Sequence, residues 1–356
     1  METQGRRIAA AAILSILVWG CAKNESNPDS NSLKQSITGS SANLSKAMEA
    51  IAASPAYTIL TVNDGSFKNS GSVADSAYRD YISLAKIKGV YEYKYSVKPG
   101  KWGIPLISFF NRTADDDKMI VRLPLVKVQN PRLLRHFSPV DTALTNNFAI
   151  AVSDYHNNYN NYHDFDYALA SEISVDNAVA GTLNINSLIG PQKGIHYMAQ
   201  YAFSGSYTAK YMYDSGDTSV SSFTISDNNA VLYQEKLMTI RNDTARFGRE
   251  FQYWLTIGNV QIVKRSGTVK PEIYLNDVLQ PNATVKIIDH AADPEASVCR
   301  KRDIQITFED GTTTTVSALI GSSVANIKTL FESLHQVYFA AYIVDWMAYD
   351  IYYNRN

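Results

Sequence analysis

Ile195–Asp214, IHYMAQYAFSGSYTAKYMYD, is the stretch that decides the fold. Alternate residues of this stretch are mostly aromatic, and the residues between them are mostly polar. Side chains of a β-strand point to alternate faces, so this period of two predicts a long strand with one buried face. Gly205 interrupts the pattern and indicates a bulge, a bend or a break into two strands. The aromatic side carries Tyr197, Tyr201, Phe203, Tyr207, Tyr211 and Tyr213.

Strand signals continue on both sides of this stretch. Residues 90–98 alternate between apolar and polar side chains in the same way. After the stretch, turn residues such as Asp227-Asn228-Asn229 separate further strands, which predicts an antiparallel meander. Residues 303–308 and 312–316 flank an Asp310-Gly311 turn and predict a hairpin.

Helical spacing is confined to the two ends of this β region. Residues 44–54 have one apolar face and stop before Pro55, which predicts a short N-terminal helix. Residues 322–353 repeat apolar side chains at helical spacing, and their second half is apolar on nearly every side except at Asp345 and Asp350. The predicted fold class is α+β, mostly β. It consists of a large curved antiparallel sheet with a short N-terminal helix and a long C-terminal helix.

Composition narrows the classes of function. Hydrophobic residues make up 45% of the chain and charged residues 19%, which is enough for a packed core. The net charge of −1 argues against nucleic acid as a partner. No nucleophile elbow, zinc-protease motif, phosphate loop or dinucleotide fingerprint occurs in the sequence, so neither a cofactor nor a particular catalytic reaction is predicted.

The first twenty residues have the layout of a bacterial secretory signal. A basic pair, Arg6-Arg7, precedes an apolar run, Ile8–Trp19, that is shorter than the about 20 apolar residues needed to span a bilayer. The run ends in Leu17-Val18-Trp19-Gly20-Cys21, which resembles the lipobox of bacterial lipoproteins. The resemblance implies that residues 1–20 are a signal peptide, and that Cys21 is acylated, for instance by palmitate, and anchors the chain in the membrane.

The residues after Cys21 suggest where the anchored chain resides. Residues 22–43 are rich in Ser and Asn with few large apolar groups, so residues 21–43 are predicted to be a disordered, lipidated tether. Residues 44–356 then form the β-rich globular domain. Ala22 is compatible with the outer-membrane route of such lipoproteins, and Lys23-Asn24-Glu25 resembles the surface-export signals of Bacteroidota lipoproteins. The expected location is the outer membrane, on either its periplasmic or its external side.

The densest polar cluster is Asp154–Asp166, DYHNNYNNYHDFD. Its tyrosines, amides and carboxylates are the groups with which proteins hold sugars and other polar ligands, and its histidines and carboxylates could also ligate a metal. A solvated loop between strands, with Asn and Asp serving turn geometry, explains the same composition. The candidate ligand-binding residues are Tyr155, His156, Tyr159, Tyr162, His163, Asp164 and Asp166.

Three functional hypotheses follow from these patterns. The leading one is an envelope lipoprotein that binds a glycan or a lipid-like molecule, through a Tyr-rich sheet face or through a 154–166 loop. The chain contains 23 tyrosines, and Tyr-rich faces often line grooves and interfaces. The second is a structural or assembly subunit that contacts an envelope protein through its C-terminal helix. The third is a hydrolase using His156, His163 and Asp166.

Overall fold

The computed structural model describes residues 30–61, 81–94, 105–129, 144–161, 164–190, 194–245, 248–289, 302–335 and 339–354. Its helices are α1 (Ser30–Ala52), α2 (Pro55–Leu60), α3 (Leu84–Ile87), α4 (Leu125–Gln129), α5 (Val316–Ile320), α6 (Ser323–His335) and α7 (Phe339–Asn354), with a 3-10 turn at Leu106–Phe109. Its strands are β1 (Ile82–Ser83), β2 (Gly89–Tyr93), β3 (Phe110–Ala114), β4 (Met119–Leu123), β5 (Phe148–Asn161), β6 (Asp164–Val175), β7 (Ala178–Gly190), β8 (Gly194–Phe203), β9 (Tyr207–Ser215), β10 (Thr218–Asp227), β11 (Ala230–Arg241), β12 (Arg249–Ile257), β13 (Val260–Arg265), β14 (Glu272–Leu275), β15 (Val278–Leu279), β16 (Thr284–Asp289), β17 (Arg302–Thr307) and β18 (Thr313–Thr315).

The protein is mostly β, with 52% strand, a large antiparallel sheet and a few helices, as the sequence predicts. The chain divides into two compact units, each built from separated stretches. The first unit comprises the described residues of Met1–Ala50 and Tyr207–Lys328, and the second those of Ile51–Ser206 and Thr329–Asn356.

The first unit contains the predicted meander. Strands β9 to β15 pair antiparallel in sequence order, and β16, β17 and β18 form a separate three-stranded sheet that includes the predicted 303–316 hairpin. The two-residue turn Asn228-Asn229 has positive φ at both positions, as does Asn276-Asp277. This is the conformation of a type I′ turn, whose twist matches that of the flanking strands, and Asn and Asp tolerate it.

Helix α1 occupies part of the segment that was predicted to be a disordered tether. Residues 30–43 lie in α1 and are not disordered, so the prediction was wrong for them, whereas residues 21–29 lie outside the described residues. The mean composition of the segment concealed Leu33 and Ile37, which are buried and continue the helical spacing of Leu44 and Met48. Hydrogen bonds from Lys34 Nζ to Asp310 Oδ2 (3.0 Å) and from Ser45 Oγ to the Ile320 carbonyl (3.3 Å) hold α1 within the first unit.

The second unit is built on strands β1 to β8. Their order is β8-β7-β6-β5-β4-β2-β3, and β1 pairs with β5. All of these pairs are antiparallel except β2 with β4. The predicted alternating strand at 90–98 is present as β2, with Tyr91 and Tyr93 buried, and residues 95–98 lie outside the described part of the chain.

The break at Gly205 is real. Strand β8 ends at Phe203 and β9 begins at Tyr207, and Gly205 between them has φ of +124°, a conformation that residues with a Cβ rarely adopt. Ser206 belongs to the second unit and Tyr207 to the first, so the chain passes from one unit to the other at this break.

The C-terminal region differs from the single helix predicted for residues 322–353. The structure shows two shorter helices, α6 with 13 residues and α7 with 16, and residues 336–338 between them lie outside the described residues. One long helix is therefore not shown. The apolar pattern identified the helical state of this region but carried no signal for where a helix ends, because neither a glycine nor a proline marks the position. Among the described residues, no helix combines the length and apolarity needed to cross a membrane.

Candidate functional site

The polar cluster at 154–166 was predicted to be a loop. This prediction was wrong, because the described residues of the cluster form a β-hairpin. Asp154–Asn161 belong to β5 and Asp164–Asp166 to β6, and Tyr155 pairs with Leu169 while His156 pairs with Ala168. Because strand side chains alternate between faces, the hairpin separates the predicted site residues into two groups. Tyr155 is buried, whereas the side chains of His156 and Asp166 are 27% and 53% exposed to solvent.

The exposed group forms what we call the Tyr81 patch, made of Tyr81, His156 and Asp166. His156 Nε2 lies 2.9 Å from Asp166 Oδ1, and the ring centroids of Tyr81 and His156 are 6.4 Å apart. Strand β1 brings Tyr81 to this position, because Ser83 pairs with His156. Tyr81 is 49% exposed, a large fraction for an aromatic residue. The patch therefore presents an exposed ring beside an imidazole and a carboxylate.

Lys86 holds the backbone of the patch in place. Its Nζ donates a hydrogen bond of 2.7 Å to the Tyr81 carbonyl and lies 4.7 Å from the centroid of the Tyr352 ring of α7. A lysine that contacts both a carbonyl and an aromatic ring fixes the short β1–α3 segment that carries Tyr81.

The buried group forms a second feature, the Asp345 cluster, made of Asp345, Tyr155 and Tyr167. The hydroxyl groups of Tyr155 and Tyr167 both donate to Asp345 Oδ1, over 3.1 Å and 3.0 Å. The two rings meet edge to face, with centroids 6.0 Å apart. Both tyrosines are almost fully buried, whereas Asp345 is only partly buried.

Electrostatics in the Asp345 cluster favour the protonated carboxyl group. Desolvation raises the pKa of Asp345 to about 7, although the hydrogen bonds from Tyr167 and Tyr155 act in the opposite direction. Desolvation, followed by the negative charge of Asp345, holds the pKa of both tyrosines well above its ordinary value. The tyrosines therefore stay neutral at physiological pH, and Asp345 is the group of the cluster that titrates near neutrality.

Aromatic rings extend from the Asp345 cluster along the hairpin. Phe165 stacks on Tyr167 with centroids 6.1 Å apart, and Tyr159 lies beyond it, 6.0 Å from Phe165. Tyr159, which the sequence placed in the site, is thus part of this aromatic row.

The predicted site residues have different positions in the structure. Tyr155 and Tyr159 lie in the aromatic row, His156 and Asp166 lie in the Tyr81 patch, and Asp164 is an exposed residue at the start of β6. Tyr162, His163 and Cys21 lie outside the described residues. The described part of the chain contains no group of three or more His, Cys, Asp and Glu residues that could hold a metal ion.

The sequence did not identify Tyr81, Tyr167 or Asp345 as site residues. A usable signal existed for Asp345, since a carboxylate that interrupts an apolar helix must find polar partners or remain exposed. No local signal existed for Tyr81, because only the pairing of β1 with β5 brings it to His156.

Three of the six aromatic residues on one side of the 195–214 stretch belong to the core. Tyr201, Phe203 and Tyr211 are almost fully buried, and the Tyr211 hydroxyl accepts a hydrogen bond from Ser221 Oγ (3.2 Å). A buried tyrosine whose hydroxyl is paired inside the protein offers nothing to a ligand.

Helix α7 likewise directs its apolar side inward. Ile343, Val344 and Met347 are fully buried, and the helix contacts α3, β1 and the 3-10 turn of its own unit. The Ile107 amide of that turn donates to Asp350 Oδ2 over 3.1 Å. These apolar residues of α7 therefore pack within their own unit.

Comparison with known proteins yields no relative from which a function could be transferred. No protein-family model matches the chain, and no curated protein and no solved structure matches it either.

Proposed function

We propose that this chain is a lipid-anchored protein of the bacterial outer membrane that binds a glycan through the Tyr81 patch. The observation that carries the proposal is an exposed aromatic ring beside a hydrogen-bonded His156–Asp166 pair. A tyrosine ring packs on the apolar face of a sugar, and the neighbouring imidazole and carboxylate bind its hydroxyl groups. Strand pairing places His156 and Asp166 on the β5–β6 hairpin and brings Tyr81 beside them through β1, so the three side chains lie together before a ligand binds, which lowers the entropic cost of binding.

A lipid-like ligand is a weaker candidate for this patch. It would need a continuous apolar surface, whereas His156 and Asp166 lie directly beside the Tyr81 ring. The proposed location rests on the resemblance of residues 17–21 to a lipobox.

The test is a screen of the full chain, purified in detergent, on a panel of bacterial and host glycans, followed by calorimetric titration of any glycan that binds. We expect Tyr81→Ala and Asp166→Asn each to weaken binding by about tenfold, since a central contact contributes on the order of 1.4 kcal/mol. Val179→Ala is the matched control, because Val179 lies in the same unit and is 48% exposed.

Two results would contradict the proposal. One is the absence of binding across the panel, and the other is binding that Tyr81→Ala leaves unchanged. Mass spectrometry of the same incubations detects any cleaved glycan, and cleavage lost in His156→Ala would support the hydrolase hypothesis instead.

A further inference from the structure

All hydroxyl hydrogens of the Asp345 cluster are already donated. Those of Tyr155 and Tyr167 go to Asp345 Oδ1, and the nearby Tyr197 hydroxyl donates to the Leu334 carbonyl over 3.0 Å. Once Asp345 is ionised, its carboxylate has only acceptor sites. In that form the cluster offers an acceptor at Asp345 to an incoming group and no donor.

The second carboxylate oxygen is the open position. Asp345 Oδ2 has no hydrogen-bond partner within the described part of the chain, and it is not sealed from solvent. Tyr201 shows the contrasting case, with a hydroxyl that has no partner and is fully enclosed. An oxygen that is unpaired but reachable can accept a hydrogen bond from a bound molecule.

No cation of the described residues compensates Asp345. Asp117, Asp310 and Glu92 each form an ion pair with a lysine or an arginine, whereas no such pair involves Asp345. A partly buried carboxylate without a counter-ion is costly in the free protein and is stabilised by a cation that binds beside it. Its neutralisation by a ligand cation is consistent with the raised pKa of the free carboxyl group.

Aromatic rings lie beside Asp345. Tyr155 and Tyr167 contact it through their hydroxyl groups, and Phe165 and Tyr159 continue the aromatic row along the hairpin. A ligand that places a cationic head at Asp345 would therefore place an apolar body against aromatic rings.

We propose that the Asp345 cluster binds a primary ammonium group carried on an apolar body. An ammonium group has one positive charge and N–H donors, which match the charge and the open Oδ2 of the ionised carboxylate. A metal ion is a poorer match, because Asp345 is the single carboxylate of the cluster and metal sites usually gather several hard ligands. This site is separate from the Tyr81 patch and concerns a different class of ligand.

Three small probes separate the contributions to binding. n-Butylammonium carries charge and donors, tetramethylammonium carries charge without donors, and 1-butanol has a similar body without charge. We expect n-butylammonium to bind the full chain about tenfold more tightly than either of the other probes, measured by calorimetry or ligand-detected NMR. Equal binding of all three probes, or binding of none, would overturn the proposal.

Variants locate the binding to Asp345. Asp345→Asn keeps an oxygen for the tyrosine hydroxyls but removes the charge, so n-butylammonium binding should fall by about tenfold. Asp350→Asn removes a charge from the same helix and should leave binding unchanged. If Asp345→Asn does not fold, Tyr167→Phe tests the same site, because it removes a hydroxyl that donates to Asp345 Oδ1 and stabilises the ionised carboxylate, so n-butylammonium should bind more weakly. Unchanged binding in whichever of the two variants folds would overturn the proposal.

Proton release provides a readout independent of affinity. Binding of a cation favours the ionised form of Asp345, so n-butylammonium binding near pH 7 should release protons, measured by titration in buffers of different ionisation enthalpy. Binding without proton release would overturn the assignment to Asp345. Glycan binding is scored separately with Tyr81→Ala, so the failure of one proposal does not entail the failure of the other.

Discussion

Asp345 is the residue whose environment has the clearest consequence for stability. Its pKa is raised from 3.8 to about 7 in the folded protein. Between these two values the folded state holds a proton that the unfolded state has lost, so the free energy of unfolding falls as the pH rises through this window. The loss is at most about 1.4 kcal/mol per pH unit for one group. Above the folded pKa the contribution no longer changes.

Asp345→Asn should remove this dependence. The amide keeps an acceptor for Tyr155 and Tyr167 but does not titrate. Further ionisable groups near α7 in the described part of the chain include Tyr197, Asp350 of the same helix, and Lys86 of α3, and they are unchanged in the variant. We expect the variant to gain stability relative to the wild type as the pH rises from about 5 to about 8, measured by urea unfolding. A stability difference that stays constant with pH would contradict this prediction.

At the scale of elements, helix α1 is the largest departure from the sequence-based expectation, and Gly39 tests it. Nothing lies within 4 Å of the position that a Cβ would take at Gly39. Alanine is favoured over glycine inside a helix by about 1 kcal/mol. We therefore expect Gly39→Ala to raise the midpoint of chemical unfolding, whereas a disordered tether would show no change.

Gly258 lies against the same helix, and its substitution should have the opposite effect on the free energy of unfolding. It has φ of +57°, and an added Cβ would lie 2.7 Å from Ser40 Cβ of α1. Gly258→Ala should destabilise the protein by about 1–3 kcal/mol through overpacking and backbone strain. Chemical unfolding of both variants measures whether α1 packs on the β12–β13 turn, and a neutral Gly258→Ala would argue that it does not.

The secondary-structure elements show which parts of the fold can be predicted from the sequence and which cannot. The alternation at 195–214, the Asn228-Asn229 turn and the 303–316 hairpin rest on local geometry, and the sequence predicts them correctly. The β5–β6 hairpin was mistaken for a loop because Asn and Asp, which favour turns and are depleted in strands, make up much of it, and its pairing along β7 is not a local property. The Asp345 cluster joins Tyr155 to a carboxylate 190 residues away, a contact that only the folded chain defines.

For the whole molecule, the two units are made from interleaved stretches, so neither is a continuous part of the chain. Antiparallel strands dominate both units, and burial of apolar residues accounts for the fold without indicating a function. The proposals on location and binding concern particular residues: the lipobox at Cys21, the Tyr81 patch and the Asp345 cluster.

The proposed outer-membrane location can be tested on the intact chain in a bacterial host that processes lipoproteins. We expect the wild type to incorporate labelled palmitate and to fractionate with the outer membrane, and Cys21→Ala to do neither, because the lipobox resemblance makes that cysteine the acylated residue. Cys299→Ala is the matched control, since Cys21 and Cys299 are the two cysteines of the sequence. A second anchoring signal would have to come from the protein surface, and a protein with a net charge of −1 gains little from an anionic membrane. Labelling that persists in Cys21→Ala, or that is lost in Cys299→Ala, would show that the anchor lies elsewhere and would remove the support for an outer-membrane location.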